Sequence, residues 1–382
     1  MHDAFVGHPV SVDRRNPLKT ILICILLSHL LIIPCHAVDG FETIYPEKDI
    51  SHAKDMLPDE ILPFVNNYDI KSGEGIGECL NRIKTHLAAN LKNAVMSLWT
   101  PMIMIFMVII LCSVIEPLFG AQTKSFPLTL FGCVEILYLT LSDSQTFFND
   151  SISALKSLYD FSTVLLPCLA GTSVLAGASV SAGVKYTAAA LFMNLLLNFS
   201  NTFLIPLISA YLVFIVGYAV FNQKLLSVLA NLIRWGCKTA LTVSTILFTA
   251  YINVAGLISS AGDLFSVRIT KTALQTALPV VGNILSGAAD SLVAGATIVR
   301  NSVGVFGLLS VFVILLFPFS NLAVRYFFFQ IIARLAELFP NRRFSDLLEG
   351  IAGAYGMLLG VIGSGFIMIF LTLISFMQIV GG

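Results

Sequence analysis

The chain has little charge. Only 12% of its 382 residues are Asp, Glu, Lys or Arg, and 22 basic residues balance 22 acidic ones. Soluble domains carry about 25% charged residues, so the supply needed to coat a water-facing surface is missing. The net charge of zero leaves no basic footprint for nucleic acid. Histidine is scarcer still: there are six, and none follows His86. No serine–histidine or cysteine–histidine pairing can therefore be built in the rest of the chain. The seven cysteines (Cys24, Cys35, Cys79, Cys112, Cys133, Cys168 and Cys237) form no CxxC pair, which speaks against a metal ribbon or a disulfide framework. Scattered in this way, they read as small hydrophobes. GxxxxGK[ST] and HExxH are both absent. These absences predict a protein that is not an enzyme, with no catalytic residue, cofactor or metal site.

What is present is apolar length. The chain is 57% hydrophobic, with a mean hydropathy of +0.88. Stretches of about 20 apolar residues, each able to cross a hydrocarbon core roughly 30 Å thick, recur at 94–115, 126–145, 161–181, 186–203, 204–221, 239–260, 302–320 and 351–379. The alternating segments of about ten residues that mark a membrane β-barrel do not occur. The predicted class is all-α, a polytopic transmembrane helical bundle of about eight spans in the lipid bilayer of the cell membrane. Asparagine and proline between Asn198 and Pro206 predict a tight hairpin between the fourth and fifth spans.

Residues 1–37 read as an export signal. Arg14, Arg15 and Lys19 precede an apolar core from Leu18 to Ile33, and Pro34-Cys35-His36-Ala37 offers a cleavage site after Ala37. Pro17 stands where a twin-arginine signal would carry an aromatic residue, so ordinary secretion is the better reading. Pro34 makes Cys35 a poor lipoprotein cysteine. Residues 38–93 then form a short exported segment, with ten acidic residues against six basic ones between Asp39 and Lys92. Its end is amphipathic, with Leu80, Ile83, Leu87 and Leu91 on one helical face. That helix either lies on the membrane or continues into the first span. The transmembrane domain occupies 94–382.

With 38–93 outside, alternation places 116–125, 182–185, 222–238 and 321–350 in the cytoplasm. These loops hold Lys124, Lys185, Lys224, Arg234, Lys238, Arg325, Arg334, Arg342 and Arg343, whereas the outer loops after the first span hold Lys156, Arg268, Lys271 and Arg300. Nine against four agrees with the positive-inside rule. The count closes only if 262–301 begins and ends on the same side. Arg268, Lys271, Thr272 and Gln275 share one face of a helix ending at Pro279, and a glycine-rich half-helix follows from Asn283. The segment is either a re-entrant element lining a solvated path or an interfacial hairpin with its charges in water.

Other polar positions invite function or packing. Glu135 is central in the second apolar stretch, and an intramembrane carboxylate is a functional candidate. Asn194, Asn198 and Asn201 form a stripe suited to joining helices. The small-residue run 170–183 and the Gly356–Gly360 pair suit close helix approach. Residues 321–339, with Tyr326 to Phe329 between Arg325 and Arg334, read as an interfacial helix.

The segment "ITKTALQTALPVVGNILSGAADSLVAGATIVRNSVGVFG" resembles the stage III sporulation protein AE family of endospore-forming bacteria. The matching positions are Lys271, Pro279, Val280, Val281, Gly282, Ser286, Ala288, Asp290, Asn301, Val303, Gly304 and Gly307. Gly287 stands where an aspartate is common, and Arg300 replaces a lysine while keeping its charge. The resemblance is specific over about 262–307 and architectural elsewhere. It implies a subunit of the channel between mother cell and forespore, set in the mother-cell membrane. It also implies other stage III A proteins as partners, among them a cytoplasmic secretion-type ATPase and ring-forming proteins. Stage II sporulation protein Q is implied across the intermembrane space. From the residues alone, the other reading is a stand-alone secondary transporter in which Glu135 and Asp290 bind a coupling ion.

Overall fold

The computed structural model describes residues 76–115, 126–277 and 282–378, all within the unit Glu42–Gly382. The export signal, most of the exported segment and the Pro279 turn lie outside the described residues. Among the described residues there are only helices and short turns. Six helices are long and apolar enough to cross a membrane. They are α1 (Ile76–Ile115), α2 (Phe126–Leu175), α3 (Ser179–Phe221), α4 (Lys224–Ala277), α5 (Gly282–Ala336) and α6 (Arg342–Met377).

Six long helices replace the eight spans expected from hydropathy. The hairpin expected at Asn198–Pro206 is a single helix passing through a π turn at Ser200–Leu204. Proline lacks the amide proton that an α-helix needs at that point. The π turn shifts the ladder by one residue, with the Ile205 amide donating to the Ser200 carbonyl, and Pro206 then sits where the next α segment begins. Likewise 126–145 and 161–181 belong largely to one helix, α2, whose 50 residues are about 75 Å long. The small-residue run supplies the turn that follows, where Gly177 takes φ 82°, a conformation that glycine adopts without a Cβ penalty. The amphipathic stretch before the first span is continuous with it in α1, and Ile83 is buried.

The two halves of 262–301 are continuous with their neighbours, the first with α4, which runs to Ala277, and the second with α5, which begins at Gly282. The expected interfacial helix at 321–339 is likewise the last part of α5. Phe329 stacks on Tyr355 of α6 at 5.4 Å, so this aromatic cluster is a packing seam.

α6 is the central stave, packing on α2, α3, α4 and α5. Heights along it can be read at its glycines, where a Cβ would strike the neighbour. Gly350 lies against Ile215, Gly353 against Tyr211 and Arg234, Gly356 against Tyr326, and Gly360 against Leu241. Gly365 lies against Leu155, Leu158 and Leu196, and near the end Met377 reaches Gly304. Gly356 and Gly360 thus serve close approach within the monomer.

At these heights three charge-free runs coincide: 239–262 of α4, 301–324 of α5 and residues 350–377 of α6. The first two are 24 residues, or about 36 Å, matching a bilayer core with its boundaries. Charged side chains bracket this slab. Lys238, Arg325 and Glu349 stand at the end carrying Asn222, and Asp263 and Arg300 at the end carrying Gly177. Near the first group α1 packs on α2 and α5, with Phe106 against Phe339 at 6.0 Å.

Candidate functional site

The slab is closed at its Gly177 end by a buried polar centre. Asp263 of α4 is buried and accepts from the amides of Val180 (2.8 Å) and Ser181 (3.0 Å), the first turn of α3. A helix N-terminus leaves its first amides without intrahelical partners and favours negative charge. No side chain of α3's own N-cap, Ala178, can serve there, so a carboxylate 83 residues downstream does the capping. One helical turn before Asp263, Ser259 accepts from the Ser181 hydroxyl at 3.0 Å.

Two buried cations complete the centre. Lys185 is 5% exposed and donates from Nζ to the carbonyl oxygen of Ser375, near the end of α6. Arg300 is 1% exposed, and both it and Asp263 lie within electrostatic reach of Lys185. Charges taken out of water need partners to be tolerated. Here the partners tie α3, α4 and α6 together. Sequence reasoning placed Lys185 in a cytoplasmic loop and did not single out Asp263. Each lies beside an apolar run, and only the fold brings them to one end.

The run from Arg300 to Gly307 continues from this centre as a packing face. A Cβ on Gly304 would meet Met377 Cγ at 2.6 Å, and one on Gly307 would meet Leu165 Cδ2 at 2.5 Å. Asn301 is half-buried, and its Oδ1 is buried with no hydrogen-bond partner among the described residues. Arg300, Asn301 and Gly304 are therefore brought together. Arg268 and Asp290 are exposed, on α4 and α5 respectively, and Gly282 opens α5. Lys271 lies on α4, but its side chain and Pro279 fall outside what is described.

Glu135 is exposed on α2, three residues after Gly132, which abuts Phe344 at the Asn222 end. Asp290 lies 14 residues before Gly304, beyond the opposite end of the slab. The two carboxylates of the transporter reading thus stand at opposite ends of the bundle. The asparagine stripe of α3 is exposed as well, with Asn198 Nδ2 donating to Asn194 Oδ1 at 2.5 Å.

A second polar group, absent from the sequence reading, marks the Asn222 edge. A Cβ on Gly353 would come within 2.6 Å of the Tyr211 hydroxyl and 3.2 Å of an Arg234 guanidinium nitrogen. Tyr211 is buried, with Glu349 also in electrostatic reach. Arg234 Nε is buried with no hydrogen-bond partner among the described residues. Among those residues no cluster of three or more His, Cys, Asp or Glu side chains stands close enough to hold a metal ion.

Comparison with known proteins gives a consistent answer. A family model described as stage III sporulation protein AE matches residues 64–380. The stage III sporulation protein AE of Bacillus subtilis (strain 168) is 21% identical over 202 residues, taking in 53% of this chain and 51% of that relative. The matched region thus spans about half the length of the relative. No solved structure matches.

Proposed function

This chain belongs to the stage III sporulation protein AE family, and from that premise we propose that it is a non-enzymatic integral subunit of the channel joining mother cell and forespore. The observation that carries the reading is the family match over residues 64–380 of a chain whose described residues include six membrane-length helices. In this reading the bundle sits in the mother-cell membrane around the forespore, with the exported segment in the intermembrane space. Its partners are the other stage III A proteins, including the cytoplasmic ATPase and the ring-forming proteins, and stage II sporulation protein Q from the forespore side.

Orientation follows from charge. With six helices, Lys185 joins Arg268, Lys271 and Arg300 at the Gly177 end, and Lys156 lies within a span. After α1, seven basic residues of the described helices and turns stand at the other end: Lys224, Arg234, Lys238, Arg325, Arg334, Arg342 and Arg343. The majority is kept after the change in span count, so the Asn222 end faces the mother-cell cytoplasm.

Deletion of the gene tests the reading. Development is expected to stop after the forespore is engulfed, with vegetative growth unchanged. Affinity purification from sporulating cells is expected to bring down the ATPase and ring-forming proteins. Normal spore yield in the deletion strain would overturn the assignment.

A further inference from the structure

The outward face of α2 is polar where the bundle should meet lipid. Its exposed positions include Asn149, Ser153, Lys156, Asp160 and Thr163, spaced 4, 3, 4 and 3 residues apart, which is one stripe of a helix. The stripe runs about 21 Å along the axis. Leu155 and Leu158, on the opposite face, reach Gly365, midway along the charge-free run of α6, while Leu165 reaches Gly307 in that of α5. The stripe therefore lies at the height of the bilayer core. Lys156 and Asp160 have no ion-pair partner among the described residues.

The neighbouring helix adds asparagines among exposed apolar side chains such as Leu191, Leu195 and Phe203. α3 packs on α2, and its Leu196 also meets Gly365. The exposed Asn194, Asn198 and Asn201 therefore stand at about the same height. Against lipid, lysine or aspartate at mid-membrane costs about 2.5–3.5 kcal/mol each, and such residues normally turn inward or toward a water-filled cavity. These turn outward, away from their own bundle. α4 is the contrast: Val243, Ile246, Leu247, Val254, Leu257 and Ile258 are exposed through the same slab. α2 and α4 both pack on α3, α5 and α6, so those three helices lie between the polar and the apolar face.

We infer that the polar faces of α2 and α3 line a water-filled path enclosed by further copies of this chain, with α4 facing lipid. A single outward stripe encloses nothing, so closure needs other subunits. Each copy brings the same stripe, so a ring sets a circle of Lys156 about 6 Å from a circle of Asp160. Both signs of charge together with amides and hydroxyls suit small hydrophilic solutes and exclude apolar ones. The inference deepens the channel reading. It depends on that reading only for what passes through, because wetting and assembly are measured on the chain alone.

The test uses the full chain in membranes of a non-sporulating host, with Lys156→Cys, Asp160→Cys, Thr163→Cys and, as the lipid-facing control, Val254→Cys. The chain with Cys24, Cys35 and Cys79 replaced by serine and no cysteine added sets the blank, because, of its other native cysteines, Cys112, Cys133 and Cys237 are buried and Cys168 is half-buried. A small charged thiol reagent is expected to modify the three α2 positions at least tenfold faster than Val254→Cys. The mass of the detergent-solubilised protein is expected to exceed that of a dimer, with a short bis-maleimide joining Asp160→Cys chains in covalent pairs. Labelling of the α2 positions no faster than the control, or a monomeric protein, would overturn the inference. Neither result bears on the deletion phenotype, so failure here and failure of the channel assignment remain distinct.

Discussion

α2 and α4 are similar helices with opposite outer faces. Both have at least 50 residues, both lie at the side of the bundle, and both pass through the charge-free slab. The exposed positions of α4 between Val243 and Ile258 are mostly aliphatic, with Tyr251 and Asn253 the exceptions. α2 presents amide, hydroxyl, ammonium and carboxylate groups at the same height. A helix surrounded by lipid on all its free surface has no use for such a face. The difference indicates that the bundle has a lipid side and a solvated side, and that the monomer is part of something larger.

The largest expected effect comes from exchanging the two environments. Val254→Lys puts a charge on the apolar face of α4 and should cost about 2.5–3.5 kcal/mol, seen as a collapse in membrane-integrated protein. Thr163→Lys on α2 should stay within about 0.5 kcal/mol, as at a solvated surface. Equal losses at the two sites would erase the contrast between the helices.

A smaller effect is expected where α3 is seated on α6 between those faces. A Cβ on Gly350 would lie 2.2 Å from Ile215 Cγ2 and 3.1 Å from Ile215 Cβ, and a β-branched side chain has little freedom to move aside. Gly350→Leu should cost about 1–3 kcal/mol, measured as a lower midpoint of thermal unfolding in detergent. Gly363, whose Cβ would meet nothing within 4 Å, is the control: Gly363→Ala should leave that midpoint unchanged or slightly raised.

The smallest effect concerns the tie between α4 and α3. Asp263→Ala removes the cap on the first turn of α3, a loss of about 0.5–2 kcal/mol for the cap itself, and also takes a carboxylate from beside buried Lys185. Faster hydrogen exchange should be confined to the amides near Val180 and Ser181. If exchange is unchanged there, the carboxylate is not holding α3 and the asparagine face is positioned by packing alone.

Some of this was legible in the sequence for good reason. An apolar run commits a segment to a membrane-length helix, because in lipid each backbone amide must bond within its own helix. The motif from Arg300 to Gly307 was legible as a family signature, and its glycines proved to be contact points for Met377 and Leu165. The continuity of helices was not. Pro206 and three nearby asparagines look like a turn until a π turn absorbs the missing amide. The stripe Asn149–Thr163 has clear helical spacing, but Asp150, Lys156 and Asp160 made it read as the edge of an outer loop. Lys185 looked like a loop cation for the same reason.

The sequence by itself determined that this chain is helical, belongs in a bilayer and falls in the stage III sporulation protein AE family. Those properties depend on local hydrophobicity and on a contiguous motif. Only the tertiary structure decided which face of each helix points outward, that Asp263 caps a helix 83 residues away, and that Lys185 and Arg300 share one buried end. A helix closes its own hydrogen bonds whichever way it is turned. Its orientation is set by the neighbours it packs against, and residues distant in the chain supply those neighbours.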